Sequence, residues 1–554
     1  NAVKFPNKIY LYYKDETYTF SEMDGLVNKV SRALLDIGVR QGDQIALFML
    51  SEPLYLATVL ASIRIGSEIA LINSNLKKSP LIHTLKLVDA KYLLVGCDDN
   101  LEKVTFYKSD ETSFNLKIGK LYKIQFYCFL KKSSTLQLKQ EELSKNISMS
   151  NTACYIFTSG TTGLPKAVII SHEKCLGMVA IHHFVDMRQD DVVYTALPLY
   201  HTAALLVACM TSLNLGCSVV LRRKFSASNL LSDCRKYKVT VLQYIGEVLR
   251  YLCNQSPTAD DKNHQIRIAL GNGMRPDVWT KFLDRFGHSI QIFEFYASTE
   301  GNAGFVNMFN KFGCVGTCSP IMKKIGGYAF VQYDRDTGNP IRNEKGRCIE
   351  VGLNEPGVLI AKVTKSAKYQ PYKGDLKMTQ RKLLHNVFKE GDEYYNSGDV
   401  LVIDGEYKLT FYDRVGDTFR WKGENVSTNE VSDTIADAGG IKECNVYGVK
   451  VPGCDGRAGM AAIVIGENND FSLTNLYRFL INVLPKYAVP IFIRVSPELE
   501  ITSTLKMRKT TLQTEGFDIS RVNDPIYVLD PDSQTYAPLT PEIFQKIENC
   551  SLRF

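Results

Sequence analysis

Between Tyr155 and Lys166 the chain reads Tyr-Ile-Phe-Thr-Ser-Gly-Thr-Thr-Gly-Leu-Pro-Lys, a composition suited to gripping phosphate. Gly160 and Gly163 let the backbone turn with its N–H groups inward, Thr158, Ser159, Thr161 and Thr162 add donors, and Lys166 adds charge. The oxygens of a nucleotide triphosphate fit such a surface. The order is not the Walker pattern, in which lysine is followed directly by Ser or Thr, so kinase and GTPase readings lose ground.

Three further blocks follow: Phe295-Tyr-Ala-Ser-Thr-Glu-Gly301, Asn396-Ser-Gly-Asp399, and Tyr412-Asp-Arg-Val-Gly-Asp-Thr-Phe-Arg-Trp-Lys-Gly-Glu-Asn-Val426. In this order and spacing the four blocks resemble the adenylate-forming superfamily of acyl-CoA synthetases, firefly luciferase and peptide-synthetase adenylation domains. The stretch 417–426, with Gln243-Tyr-Ile-Gly-Glu247 and Ala269-Leu-Gly-Asn-Gly273, narrows the match. It is similar to the very-long-chain acyl-CoA synthetase or fatty acid transport protein family, and the likeness runs from about Phe5 to the end.

That resemblance implies a chemistry. A carboxylate is a poor electrophile, so it must first attack the α-phosphorus of ATP, giving an acyl adenylate and pyrophosphate; the thiol of coenzyme A then displaces AMP. The resemblance gives Glu300 a Mg²⁺ ion and Thr299 the α-phosphate, and a carboxylate completed by phosphate oxygens and water suits Mg²⁺. It lays Tyr296 and the strip Gly271-Asn272-Gly273 against adenine. Asp399 takes the ribose hydroxyls and Arg414 reaches the ribose; two acceptor oxygens suit a vicinal diol. Lys506 matches the catalytic lysine, although Ser503 stands where relatives carry glycine and Lys509 and Arg508 lie close by. His201 is a candidate for the border of the carboxylate pocket, with packing as the competing reading. Gly416 sits in the hinge, and Gly423 faces the pantetheine channel once the lid has turned.

The implied fold is α/β: a large N-terminal body of stacked mixed and parallel sheets with helices, residues 1–413, then a hinge at 414–416 and a small mobile α+β lid at 417–554. The pattern of the residues agrees. Short apolar runs at 44–50, 92–96, 192–196 and 239–243 alternate with helical stretches such as 20–35, the mark of parallel sheets covered by helices. Ser21 with Asp24 reads as a weak capping box. The apolar stretch 203–221 reads as a buried helix followed by a buried strand, and 363–392 as a polar excursion. The lid reads as helix 429–438, strands 443–450 and 460–465, and helix 473–484.

With 554 residues the chain needs several structural units, and 45% hydrophobic content can bury them. A formal charge of +7 without basic runs or interleaved aromatics excludes a nucleic-acid groove. Fourteen cysteines without a CxxC pair read as free thiols in a reducing compartment, with Cys154 as packing. Asn1 opens the chain with no methionine and no signal-peptide pattern, which reads as a fragment whose own beginning is missing; the family implies membrane association, with an anchor expected in that missing start. The family implies the cytosolic face of the endoplasmic reticulum membrane, with peroxisome or plasma membrane as alternatives.

The expected function is ATP-dependent activation of long-chain or very-long-chain fatty acids to acyl-CoA, coupled to uptake because the CoA ester is trapped. A ligase for bile acids or branched acids shares every nucleotide residue. A non-catalytic fatty acid transport protein would have no reason to keep Lys166, Thr299, Glu300, Asp399, Arg414 and Lys506 together.

Overall fold

The computed structural model describes residues 1–76, 78–96, 122–125, 143, 145–159, 165–334, 339–363, 371–374, 376–415, 419–421, 424–454, 456–466, 471–499, 509–530, 533, 535–552 and 554. Two compact units emerge. The first comprises 1–272, 285–310 and 365–382, the second 273–284, 311–364 and 383–554. The chain is α/β, with a large N-terminal body of mixed sheets and helices and a smaller C-terminal sheet domain.

The first unit holds two sheets. The expected strands are present as Gln44–Phe48, Tyr92–Val95, Val192–Thr195 and Val241–Ile245. Gln44–Phe48 lies parallel between Glu68–Leu71 and Tyr92–Val95, inside a six-stranded sheet that ends on the hairpin Thr152–Ser159 and Pro165–Ser171. Val192–Thr195 and Val241–Ile245 sit side by side in the eight-stranded sheet, followed outward by Ile268–Asn272 and Gln291–Ala297. These runs are apolar at almost every position because parallel strands are covered on both faces.

The helix expected at 20–35 spans Phe20–Asp36, but its cap lies two residues earlier than expected. Thr19 accepts from the Glu22 backbone at 3.1 Å, and Glu22 accepts from the Thr19 backbone at 2.8 Å. The box Thr19–Glu22 replaces Ser21–Asp24, because the Asp24 carboxylate is paired with Arg64 at 2.7 Å. The apolar stretch is a π-helical turn Ala203–Met210, a helix Thr211–Leu215 and a buried strand Ser218–Leu221, with Gly216 at φ 87° closing the helix. Among the described residues no helix is long and apolar enough to cross a membrane.

In the second unit one sheet is built on the strands Glu393–Ile403 and Lys408–Arg414. Another runs Ile441–Val449, Ala458–Ile465, Phe492–Val495, Ile526–Asp530 and Thr535–Pro538. The helices Thr428–Asp437 and Leu473–Val483 match the expected ones within two residues. The core beneath this last sheet includes Phe419, Trp421, Tyr447, Leu480 and Phe492. The expected polar excursion 363–392 includes a helix Leu376–Arg381, which belongs to the first unit, and a strand Leu383–His385, which belongs to the second.

Arg494 ties this sheet together: its guanidinium reaches Glu515 at 2.5 Å and Asp524 at 2.7 Å, and Ser496 donates to Asp524 at 2.6 Å. Arg494→Met leaves two partly buried carboxylates without their cation. It is expected to cost about 2 kcal/mol, read as a drop in melting temperature, and Arg494→Lys is expected to recover only part.

Candidate functional site: a nucleotide-handling centre

The phosphate-type loop is carried on the hairpin just described. Thr158 pairs with Lys166 and Ser159 with Pro165, so the strands deliver the two ends of the loop side by side. Gly160, Thr161, Thr162 and Gly163 lie outside the described residues, as does the side chain of Ser159. Tyr155 at the foot of the hairpin is buried, and its hydroxyl donates to Glu68. Lys373 donates to the same hydroxyl at 2.9 Å and lies 5.1 Å from the ring centroid. Burial, then the Glu68 hydrogen bond and charge, push the Tyr155 phenol far up. The Lys166 ammonium stands 5.9 Å over the Tyr372 ring.

The second block begins where the strand Gln291–Ala297 ends. A turn closed by the Gly301 N–H on the Ser298 carbonyl, 3.1 Å, presents Thr299 and Glu300 half-exposed. Tyr296 pairs across the antiparallel edge with Phe305, ring centroids 6.1 Å apart. The Thr299 hydroxyl stands 3.5 Å from that of Thr202, which brings the 197–204 block, with His201, to the same place. His201 packs edge-on against Tyr200 at 4.5 Å.

Sequence reasoning missed Lys174. It lies in the first turn of the helix His172–Val179, capped by Ser171, and its Nζ donates to the Thr299 carbonyl at 2.6 Å. Burial pushes this ammonium down to about 8 from an ordinary 10.5, while Glu300 is the foremost group pulling it back up. A lysine in a first helical turn faces the positive end of the helix dipole, and that misfit was the available signal. Cys154 and Cys175 lie beside it; the contact with Cys175, then burial, hold the Cys154 thiol well above its usual range, as packing requires. No cluster of three or more His, Cys, Asp or Glu suited to a metal is found among the described residues.

Gly271 has a packing reason. A Cβ there would lie 2.3 Å from the Tyr244 carbonyl oxygen and 2.6 Å from its ring. Only glycine lets the strands Val241–Ile245 and Ile268–Asn272 approach as they do. Asn272 ends the second strand, and Gly273 follows at φ 77°, a left-handed conformation that favours glycine.

In the second unit Asp399 and Arg414 are cross-strand neighbours, and the guanidinium Nε donates to the Asp399 carboxylate at 2.8 Å. Asp399 is 2% exposed. Gly398 at φ 73° makes the bend before it, fixed by Asn396 on the Gly398 N–H at 2.9 Å. The Lys509 ammonium donates to Thr428 at 2.7 Å, a bond that occupies this neighbour of the expected catalytic lysine. Lys506, Ser503, Arg508, Gly416 and Gly423 lie outside the described residues.

Comparison with known proteins identifies the family. The model of the AMP-binding enzymes matches residues 1–352. The chain belongs to the AMP-binding enzymes. This enzyme is 42% identical to long-chain fatty acid transport protein 2 of Rattus norvegicus, over 100% of the chain and 90% of that protein. It is 40% identical to long-chain fatty acid transport protein 5 of Homo sapiens, over 96% of the chain and 78% of that protein. An ATP-bound MatB from Rhodopseudomonas palustris shares the fold at a TM-score of 0.76 and 20% identity, covering 92% of this chain and 96% of that one.

Three outcomes follow for this AMP-binding enzyme. Lysine-selective NMR is expected to find one ammonium titrating near pH 8, absent in Lys174→Met. In Glu300→Gln that titration moves lower still, because the foremost opposing charge is gone. Asp399→Ala is expected to weaken AMP binding about tenfold by calorimetry, since a carboxylate acceptor is lost and Arg414 loses its 2.8 Å ion pair.

Proposed function

We propose that the protein is a long-chain to very-long-chain fatty acid–CoA ligase that forms AMP. A carboxylate oxygen of the acid bonds to the α-phosphorus of ATP as the α–β phosphoanhydride bond breaks and pyrophosphate leaves. The sulfur of coenzyme A then bonds to the acyl carbon of the adenylate, its proton is lost, and AMP departs. The observation that carries this reading is the Thr299–Glu300 turn, tied to Lys174 and set beside Thr202. Full-length identity to long-chain fatty acid transport proteins supplies the substrate class.

Each part of the chain has a task in this reading. Thr158 to Lys166 holds the β- and γ-phosphates; Thr299 donates to the α-phosphate; Tyr296 with 271–273 receives adenine; Asp399 and Arg414 hold the ribose. Lys506 approaches carboxylate and α-phosphate together, lowering their mutual repulsion as the bond forms. His201 borders the acid carboxylate. The half-exposed Glu300 carboxylate fits Mg²⁺, which needs one protein oxygen and takes phosphate oxygens and water besides. Bound there, Mg²⁺ would offset charge on the triphosphate. The body 1–413, hinge 414–416 and lid 417–554 belong to this reading, with Gly423 delivered to coenzyme A by lid rotation. A core whose described members begin at Phe419 supports the boundary.

Membrane association at the cytosolic face of the endoplasmic reticulum completes the reading, because long-chain acids reside in bilayers and an impermeable CoA ester traps them. A carrier without catalysis has no use for a buried lysine that fixes a phosphate-facing turn.

The test offers purified protein a panel of acids from medium-chain to very-long-chain, plus a bile acid, and measures AMP release with and without coenzyme A. AMP release with the long acids is expected, reduced about 100-fold in Glu300→Ala. Release with the bile acid alone, or with no acid while Glu300→Ala still binds fatty acid normally, overturns the reading. Lys506→Ala is expected to lose adenylation yet keep thioester formation from presynthesised acyl adenylate; equal damage to both halves removes Lys506 from its role.

A further inference from the structure

The helix Pro320–Gly326 buries none of its residues, its large apolar side chains included. Ser319 caps it by accepting from the Met322 N–H at 3.3 Å, Pro320 starts it, and Gly327 at φ 64° stops it. Ile321 is 71% exposed, Met322 36% and Ile325 83%. At 3.6 residues per turn these three share about 100° of the helix circumference, so they form one outward face. Lys323, partly buried, and Lys324, exposed, lie on the other side of the helix and line a cavity of about 670 Å³ together with Phe330, Leu353, Lys362 and Tyr407.

A helix on a water-facing surface normally buries its isoleucines against the fold. Single exposed apolar residues are ordinary, but here a whole face is apolar. Leu353, on the same cavity, is itself 49% exposed and Tyr407 39%. Around the same cavity stand Lys323, Lys324 and Lys362 against one acid, Glu350, which is 3.4 Å from Lys323. The Lys323 ammonium also rides 5.9 Å over the Phe330 ring, its stem covering apolar surface. An apolar face bordered by excess positive charge is complementary to an anionic bilayer, with an acyl boundary below and phosphates above. A second protein copy fits less well, because three side chains fall far short of the about 800 Å² per partner that stable complexes bury.

We propose that Pro320–Gly326 is a docking face for anionic phospholipid bilayers: Ile321, Met322 and Ile325 enter the headgroup–acyl boundary, and Lys323, Lys324 and Lys362 meet lipid phosphates. This rests on the membrane association proposed above and names the surface that performs it. The contact adds to any anchor elsewhere in the protein, and it brings the enzyme to the phase in which a long-chain acid is dissolved.

The test is co-sedimentation of the purified chain with vesicles of phosphatidylcholine alone and of an equal phosphatidylcholine–phosphatidylserine mixture. Binding to the mixture, weakened by salt, is expected, with about tenfold loss in Ile321→Asp/Ile325→Asp and in Lys323→Gln/Lys324→Gln. Both variants are expected to keep wild-type AMP release from a medium-chain acid free in solution, so loss of docking is read separately from loss of catalysis. Three results overturn the proposal: wild-type protein that ignores both vesicles, isoleucine variants that bind as wild type does, or lipid-free protein whose oligomeric mass falls in those variants. The last would make a second copy the occupant.

Discussion

One hydrogen bond holds the Thr299–Glu300 turn of the first unit: Lys174 Nζ to the carbonyl of Thr299. The turn it holds is short, begins at the end of a sheet strand, and presents Thr299 and Glu300 half-buried. Left to itself, such a turn has many conformations, and ordering it costs entropy. A buried cation closing on its backbone removes that freedom before any ligand arrives, and the same cation offsets the charge of Glu300. The cost is a lysine held against its own preference, with burial pushing its ammonium down to about 8.

The second unit uses a related device. Asp399 is almost fully buried, and a buried carboxylate needs a partner. Arg414 supplies it from the neighbouring strand, on the last residue of that strand. The pair is therefore fixed by sheet register, and the bend at Gly398 aims it. Thr299 and Glu300 follow a strand end and Arg414 stands on one, while Asp399 sits inside its strand beside the Gly398 bend.

Much of this was legible in the sequence for a physical reason. Residues expected to grip phosphate or face a metal lie within a few positions of one another, so Thr158–Lys166 and Thr299–Glu300 stand in contiguous blocks that a reader can find, and Asp399 closes a short block of its own. Lys174 could not be found that way: its partner is 125 residues distant, and only the fold makes them neighbours. The cap of the first helix was misplaced because Thr19 and Ser21 are chemically alike, and the choice is made by Asp24, whose carboxylate is drawn to Arg64 on another helix. The strands Phe492–Val495, Ile526–Asp530 and Thr535–Pro538 went unread; each is only four or five residues long, too short for alternation to stand out from background.

The close approach at Gly271 has an evolutionary side. The nearest obstacle to any side chain there is the main-chain oxygen of residue 244, at 2.3 Å, and main-chain oxygen is common to all twenty amino acids. Shrinking the tyrosine would not open the position; only wider strand spacing would. In descendants of this chain the site therefore stays closed to variation for as long as the two strands remain paired.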